Sequence, residues 1–359
     1  MALNTWPAQG ETEVTMSTRT ICIAPFILVF LTTVFAAQPG QTSLPGQLES
    51  YVTNVVKLTP TQRKQLFAGE PVTQMLEADP SYEVSVFGAI WVKAPIDRYL
   101  AAVHDIEQFE KGENFRVTKK VSDPPRIEDF ALFKLPPDDL KDLRSCRVHD
   151  CELKLSESTI NRVRKEIDWS KRTAAADVER LGRQLMLEYV KGYLEGGNAE
   201  LATYRDTDRP TFVGEEFASM VDRMPSLSKY LPDLKRYLLN YPEATLPNAD
   251  SFIYWQEAKF GLKPTIRINH LAIVREPTHV DVVSKMLYAS HYFWTAIELR
   301  VLVPDASRGE GFWFASVSRS RSDGLSGFVG SLIRGKVRGE AEKGMRASLS
   351  ITKHKMEGR

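Results

Sequence analysis

The chain has 359 residues, 43% of them hydrophobic and 26% charged, and its 47 basic side chains almost cancel its 46 acidic ones, for a formal net charge of +1. So balanced a surface has no long-range field to gather nucleic acid or an anionic membrane, and neither is expected as a main partner. The length allows one large domain or two small ones, with a core that needs no metal or disulfide to be stable.

The first element is a targeting signal. Ile21 to Ala37 reads ICIAPFILVFLTTVFAA without a charge, Arg19 stands just ahead, Ala36 and Ala37 close the run, and the polar QPGQTSLPGQ follows. That is the layout of a secretory signal peptide, so residues 1–37 are expected to be removed and the mature chain to start near Gln38 in an exported protein, periplasmic or secreted. Glu11 and Glu13 are unusual in such a segment, which makes Met16 an alternative start. The rival reading is a membrane anchor through residues 21–37, for which a short run interrupted by Pro25 is marginal. Cys22 precedes the hydrophobic core and is wrongly placed for a lipoprotein acceptor.

Residues 38–81 read as a linker with short N-terminal helices. In it Thr59-Pro60 provides an N-cap and first-turn proline for TQRKQLF, ended by Gly69. EVSVFGAIWV (83–92) is rich in β-formers and stops at Ala94-Pro95. IDRYLAAVHDIEQFE then places Ile96, Leu100, Val103, Ile106 and Phe109 near helical spacing, and FRVTKKV (115–121) returns to a strand. Residues 135–250 are helical: PPDDLKDLRSC, STINRVRKEIDW, a long helix from about Thr173 to Glu195, FVGEEFASMVDRM and SLSKYLPDLKRYLLNY. Its stripe of Leu181, Leu185, Tyr189 and Tyr193 is read as core. FIYWQEAKF, PTIRINHLAIV, VDVVSKMLYA, HYFWTAIELRVLV and GFWFASVSRS then alternate or run apolar between Gly, Pro and Asp turns, an antiparallel meander. A helix from Leu325 to about Lys355 closes the chain, with Leu325, Phe328, Val329, Leu332 and Ile333 as its apolar side.

Cys146 and Cys151 in CRVHDC remain once Cys22 leaves with the signal. An even count in an exported protein points to a disulfide; free thiols, or a metal site with His149 and Asp150, are the alternatives, the latter short of a distant fourth ligand. GSLIRGK (330–336) fits the outline of a phosphate loop, but Val337 replaces the magnesium-binding hydroxyl and the segment lies in helix, so no nucleotide is expected. Gly335 and Gly339 are read instead as places where this helix nears a sheet. No metalloprotease, paired CxxC or GxSxG motif occurs, His270 and His291 share apolar strand faces, and no cofactor or metal is called for. The informative polar residues stand among the aromatic strands: Glu257 after Trp255, Arg267 with Asn269, and Glu298 and Arg300 with Trp294. On the last helix Lys336 and Glu340 form a charge pair four residues apart.

The order of EVSVFGAIWVKAP running into IDRYLAAVHDIEQFE, later antiparallel strands and a long final helix resembles the START-like, Bet v 1-like (helix-grip) superfamily. The resemblance covers about 82–134 and 251–355, with residues 135–250 as a helical insertion. It implies an α+β fold, an antiparallel curved sheet packed on a long C-terminal helix around an apolar cavity that binds or transports lipid-like molecules. Trp255, Glu257, Arg267, Trp294 and Lys336 are the expected ligand-binding residues, and the Leu325–Val337 side is expected to lie over strands 264–274 and 289–303. Transient membrane contact would accompany such a role. A cavity-based enzyme (hydrolase or cyclase) and an envelope scaffold using the helical insertion are the alternatives. The resemblance carries no catalytic residues across.

Overall fold

A computed structural model describes residues 43–260, 263–325 and 327–358, so the expected signal peptide lies outside the described residues. The N-terminal part holds α1 (Gly46–Tyr51), extended by a π turn to Val56, α2 (Pro60–Phe67) and β1 (Val72–Met75). Thr59 and Gln62 form a capping box at the start of α2, satisfying two backbone donors that the helix itself leaves free. Next come β2 (Glu83–Val92), α3 (Ile96–His104), α4 (Ile106–Phe109) and β3 (Phe115–Lys120). Where the apolar spacing suggests one continuous helix, Asp105 departs from helical geometry and divides it into α3 and α4.

The middle of the chain holds α5 (Pro137–Ser145), α6 (Glu157–Glu166), α7 (Ala174–Gly196), the two-residue strands β4 (Thr203–Tyr204) and β5 (Thr211–Phe212), α8 (Val213–Asp222) and α9 (Pro232–Leu239). SLSKYLPDLKRYLLNY does not make one helix: a π turn over Ser226–Tyr230 ends at Leu231, and α9 restarts at Pro232, as expected of a proline, which favours a first turn and disfavours helix before it. The meander is β6 (Ala249–Phe260), β7 (Lys263–Arg275), β8 (Val280–Ala289), β9 (Phe293–Pro304) and β10 (Phe312–Ser322), followed by α10 (Gly327–Glu357).

The fold is α+β. Eight strands make one antiparallel curved sheet in the order β1-β2-β10-β9-β8-β7-β6-β3, so β2 is inserted beside the last strand of the meander and β3 beside the first. Both faces are covered. On the first, Val86, Ile90, Leu302, Phe312 and Phe314 pack with Tyr99, Leu100 and Val103 of α3 and with Met345, Leu349 and Met356 of α10. On the second, Trp91, Trp313, Val317 and Leu299 pack under the N-terminal helices, α8 and α9, while Ile253, Trp255, Ile266 and Ile268 pack under α7 and the Phe130–Phe133 turn. Burial from both sides explains why β2 is buried throughout and mostly apolar instead of alternating.

The disulfide between Cys146 and Cys151 is formed, with Cα atoms 4.5 Å apart, and it closes a tight turn bridged by Arg147 and Asp150. Cys146 is buried against Leu143, Ile160 and Val163, in a cluster shared by α5, α6 and α7.

The seating of α10 corrects the expectation for its N-terminal side. Leu325 is buried, but Leu332 is 68% and Ile333 39% exposed, and Gly335 and Gly339 face open space. The half that docks is the C-terminal one, through Met345, Leu349, Thr352 and Met356. Its sheet contacts concentrate on β2 and β1, where Arg346 donates to Pro71 O and Lys353 Nζ to Trp91 O, both at 2.6 Å. The close approach falls on the sheet's own glycine: a Cβ on Gly88 of β2 would lie 2.6 Å from Met345 Cγ and 2.9 Å from Leu349 Cδ1. GSLIRGK lies inside this helix.

Candidate functional site

Strand alternation assembles a polar belt on the first face, beyond the apolar plug of α3. Register places Ser316 of β10 beside Arg300 of β9, Glu298 of β9 beside Ser284 of β8, and Asn269 and Arg267 of β7 beside Tyr254 and Gln256 of β6. Tyr99 from α3 and Glu110, just after α4, enter from above.

Glu298 and Arg300 form a two-point ion pair, Nε to Oε1 at 2.9 Å and Nη2 to Oε2 at 2.6 Å. Burial alone would raise the Glu298 pKa, but Arg300 and then Arg267 outweigh it and hold the carboxyl below its ordinary value. Burial works against the Arg300 charge as well, and the Glu298 charge overcomes it. Gln256 bridges the other two ionisable groups: its Oε1 accepts from Arg267 Nη2 at 2.8 Å and its Nε2 donates to Glu110 Oε2 at 3.4 Å. Burial, with Glu298 adding to it, pushes the Glu110 carboxyl up despite Arg300. The Tyr254 hydroxyl meets Ser284 Oγ at 3.2 Å, and burial raises Tyr99 and Tyr254 to about 12.

Two features separate this belt from a sealed ion-pair network. Glu298 belongs to the fourth strand of the eight, deep beneath the helices, yet keeps 32% of its side chain accessible, so it borders a recess instead of a packed layer. Tyr99 Oη, Asn269 Nδ2 and Arg267 Nε are buried atoms without a hydrogen-bond partner in the protein, against the general rule that buried polar atoms are paired. Toward the β6–β9 end, Met286, Ala289 and Phe293 add a small apolar cluster.

Of the residues expected from sequence to bind a ligand, Arg267 belongs to this belt. Trp294 lies farther along β9, stacked on Tyr82 and hydrogen-bonded to Asp323. Trp255 and Glu257 point to the second face: Trp255 is buried beside Phe130 and Phe133 with Nε1 donating to Asp129 O at 3.0 Å, and Glu257 pairs with Arg116 at 2.9 Å. Lys336 is exposed on α10. The five are therefore not brought together. Tyr254 and Gln256 could have been found by the period of two that separates them from Trp255; Tyr99 and Glu110 carry no local signal.

The second face has its own polar island. Tyr193 Oη lies 2.9 Å from His270 Nδ1 and Tyr237 Oη 3.4 Å from His270 Nε2. Lys285 Nζ donates to Asn198 Oδ1 and, at 3.4 Å, to Tyr193 Oη, and lies 4.4 Å from the centre of the Phe217 ring. His291, the other histidine expected on an apolar strand face, precedes β9 and binds buried Asp139 at 3.0 Å. Two apolar hollows also open on this face, one of about 410 Å³ between Tyr51, Tyr230 and Val301, the other of about 480 Å³ between α6, α7 and Ile268. The wall of the first holds no Asp, Glu, Lys or Arg among the described residues, and that of the second includes Arg162, Glu188 and Glu200. Among the described residues no group of three or more His, Cys, Asp or Glu side chains could hold a metal ion, and no helix is long and apolar enough to cross a membrane.

The chemistry on offer at the first face is recognition: hydrogen-bond donors and acceptors and a partly accessible ion pair. No family model, curated protein or solved structure matches the chain.

Proposed function

We propose that the protein binds or carries a lipid-like amphiphile outside the cytoplasm, in a helix-grip arrangement on the first face of the sheet. The observation that carries this reading is the partly accessible Glu298–Arg300 pair in mid-sheet, ringed by buried polar atoms that lack protein partners. A few convergent polar groups in an otherwise apolar recess are the usual anatomy of a small-molecule site. The disulfide favours an oxidising compartment and agrees with the export signal read in residues 1–37.

Native mass spectrometry of exported protein, with lipid extraction and fluorescent fatty-acid or phospholipid uptake, tests the reading. Wild type is expected to retain or take up an amphiphile, and a Glu298→Leu/Arg300→Met double variant to bind it more weakly. Exchanging both charges together avoids stranding one of them in the core. Wild-type protein that takes up no apolar ligand would refute the proposal, and turnover of the ligand would favour the enzyme alternative.

A further inference from the structure

The arginines of this sheet are not equivalent. Arg300 is matched by Glu298, and Arg319 and Arg321 are both matched by Glu83. Arg267 is the exception: among the described residues no carboxylate lies within ion-pair distance of it. Its partners are the neutral Gln256 Oε1 and the face of Phe115, with the ring centre 5.6 Å away, while its Nε is buried and unpartnered. Gln256 stands between Arg267 and Glu110 and keeps that acid from closing an ion pair. Beside Arg267 lies a buried apolar cluster: Ala289 is its register partner on β8 and Met286 that of Asn269, and both pack with Phe293.

We propose that the ligand of the first face carries a single carboxylate head, held by Arg267. The inference rests on the amphiphile-binding reading above and specifies its chemistry. A guanidinium presents parallel N–H donors that match the two oxygens of a carboxylate. The charge of the belt agrees. Glu298 pairs with Arg300, and Arg267 has no carboxylate at ion-pair distance among the described residues, which leaves one unmatched guanidinium for one anion. A dianionic phosphate monoester would overcompensate it.

The test compares palmitate, the matched primary alcohol and the methyl ester as competitors of a fluorescent fatty-acid probe, on wild type and on Arg267→Gln and Arg267→Lys. Wild type is expected to prefer palmitate to the alcohol by at least about tenfold. Arg267→Gln should abolish the preference, and Arg267→Lys should keep part of it. Equal wild-type affinity for palmitate and alcohol overturns the carboxylate assignment and leaves the cavity reading standing; a preference that survives in folded Arg267→Gln overturns the assignment of the head group to Arg267. Failure of wild type to bind any of the three overturns the cavity reading itself. The wild-type comparison needs no variant, so poor folding of Arg267→Gln does not remove the test.

Discussion

Lys285 of β8 and His270 of β7 are register partners, two basic side chains buried side by side with no carboxylate at ion-pair distance among the described residues. Burial pulls Lys285 down to about 7, and burial with the Lys285 charge pulls His270 down to about 3. Tyrosine hydroxyls and the Asn198 amide do the solvating, and they satisfy hydrogen bonds without supplying charge.

A pH dependence of stability follows. Between about 7 and the ordinary lysine value of 10.5 the unfolded chain holds a proton on Lys285 that the folded chain lacks, so stability rises with pH through that window. Below 6.5 the unfolded chain protonates His270 while the folded chain does not until about 3, so stability falls as pH drops. Each residue contributes a slope of up to about 1.4 kcal/mol per pH unit in its window. Urea unfolding of Lys285→Met across pH 7–10 should show the alkaline slope reduced by that amount. An unchanged slope would mean that the ammonium is solvated in the fold.

The Glu83 carboxylate is fully buried and accepts from Arg319 Nε at 2.7 Å and Arg321 Nε at 2.8 Å, while Arg321 reaches Glu216 at 2.8 Å. This network ties the start of β2 to the end of β10. Glu83→Gln leaves buried Arg319 without a carboxylate and Arg321 with Glu216 alone, and is expected to cost about 3–5 kcal/mol, read as a lowered urea midpoint. Lys336→Ala, on the exposed side of α10, should stay within about 0.5 kcal/mol of wild type.

Glycines on α10 and β2 should respond in opposite directions. Gly88→Val drives side-chain atoms into Met345 and Leu349 and should cost about 1–3 kcal/mol or lift the helix. Gly339 faces open space within a continuous helix, so Gly339→Ala should stabilise by roughly 0.5–1 kcal/mol. Thermal unfolding of both variants, with circular dichroism for helix content, checks the pair. A stabilised Gly88→Val would contradict the seating of α10.

Opening the disulfide should have a modest effect. The loop from Cys146 to Cys151 is short, and loop-closure entropy gives about 2 kcal/mol for such a ring. Cys146→Ser/Cys151→Ser should lower the urea midpoint accordingly, and peptide mapping of the unreduced protein should find the two cysteines linked.

Much of the architecture is written locally. The alternation in PTIRINHLAIV and HYFWTAIELRVLV marks two-sided strands, turn residues mark their ends, and Thr59-Pro60 marks a helix start, because backbone preference and hydrophobic period act over a few residues. The pairings Arg267 with Asn269 and Glu298 with Arg300 were legible for the same reason. Local pattern does not say which side of a strand meets which helix. Trp255 and Arg267 are both polar-tipped side chains on adjacent strands, and only the packing of α7 on one face and α3 on the other sends them apart. The docking half of α10 was equally hidden. Leu332 and Ile333 look more apolar than Met345 and Thr352, but the choice depends on Gly88, more than two hundred residues earlier in the chain, whose missing side chain is what lets a helix approach the sheet. Tyr99 and Glu110 join the polar belt only because the turn after β2 folds α3 and α4 back across the sheet, a contact set by close packing and not by any period in the sequence.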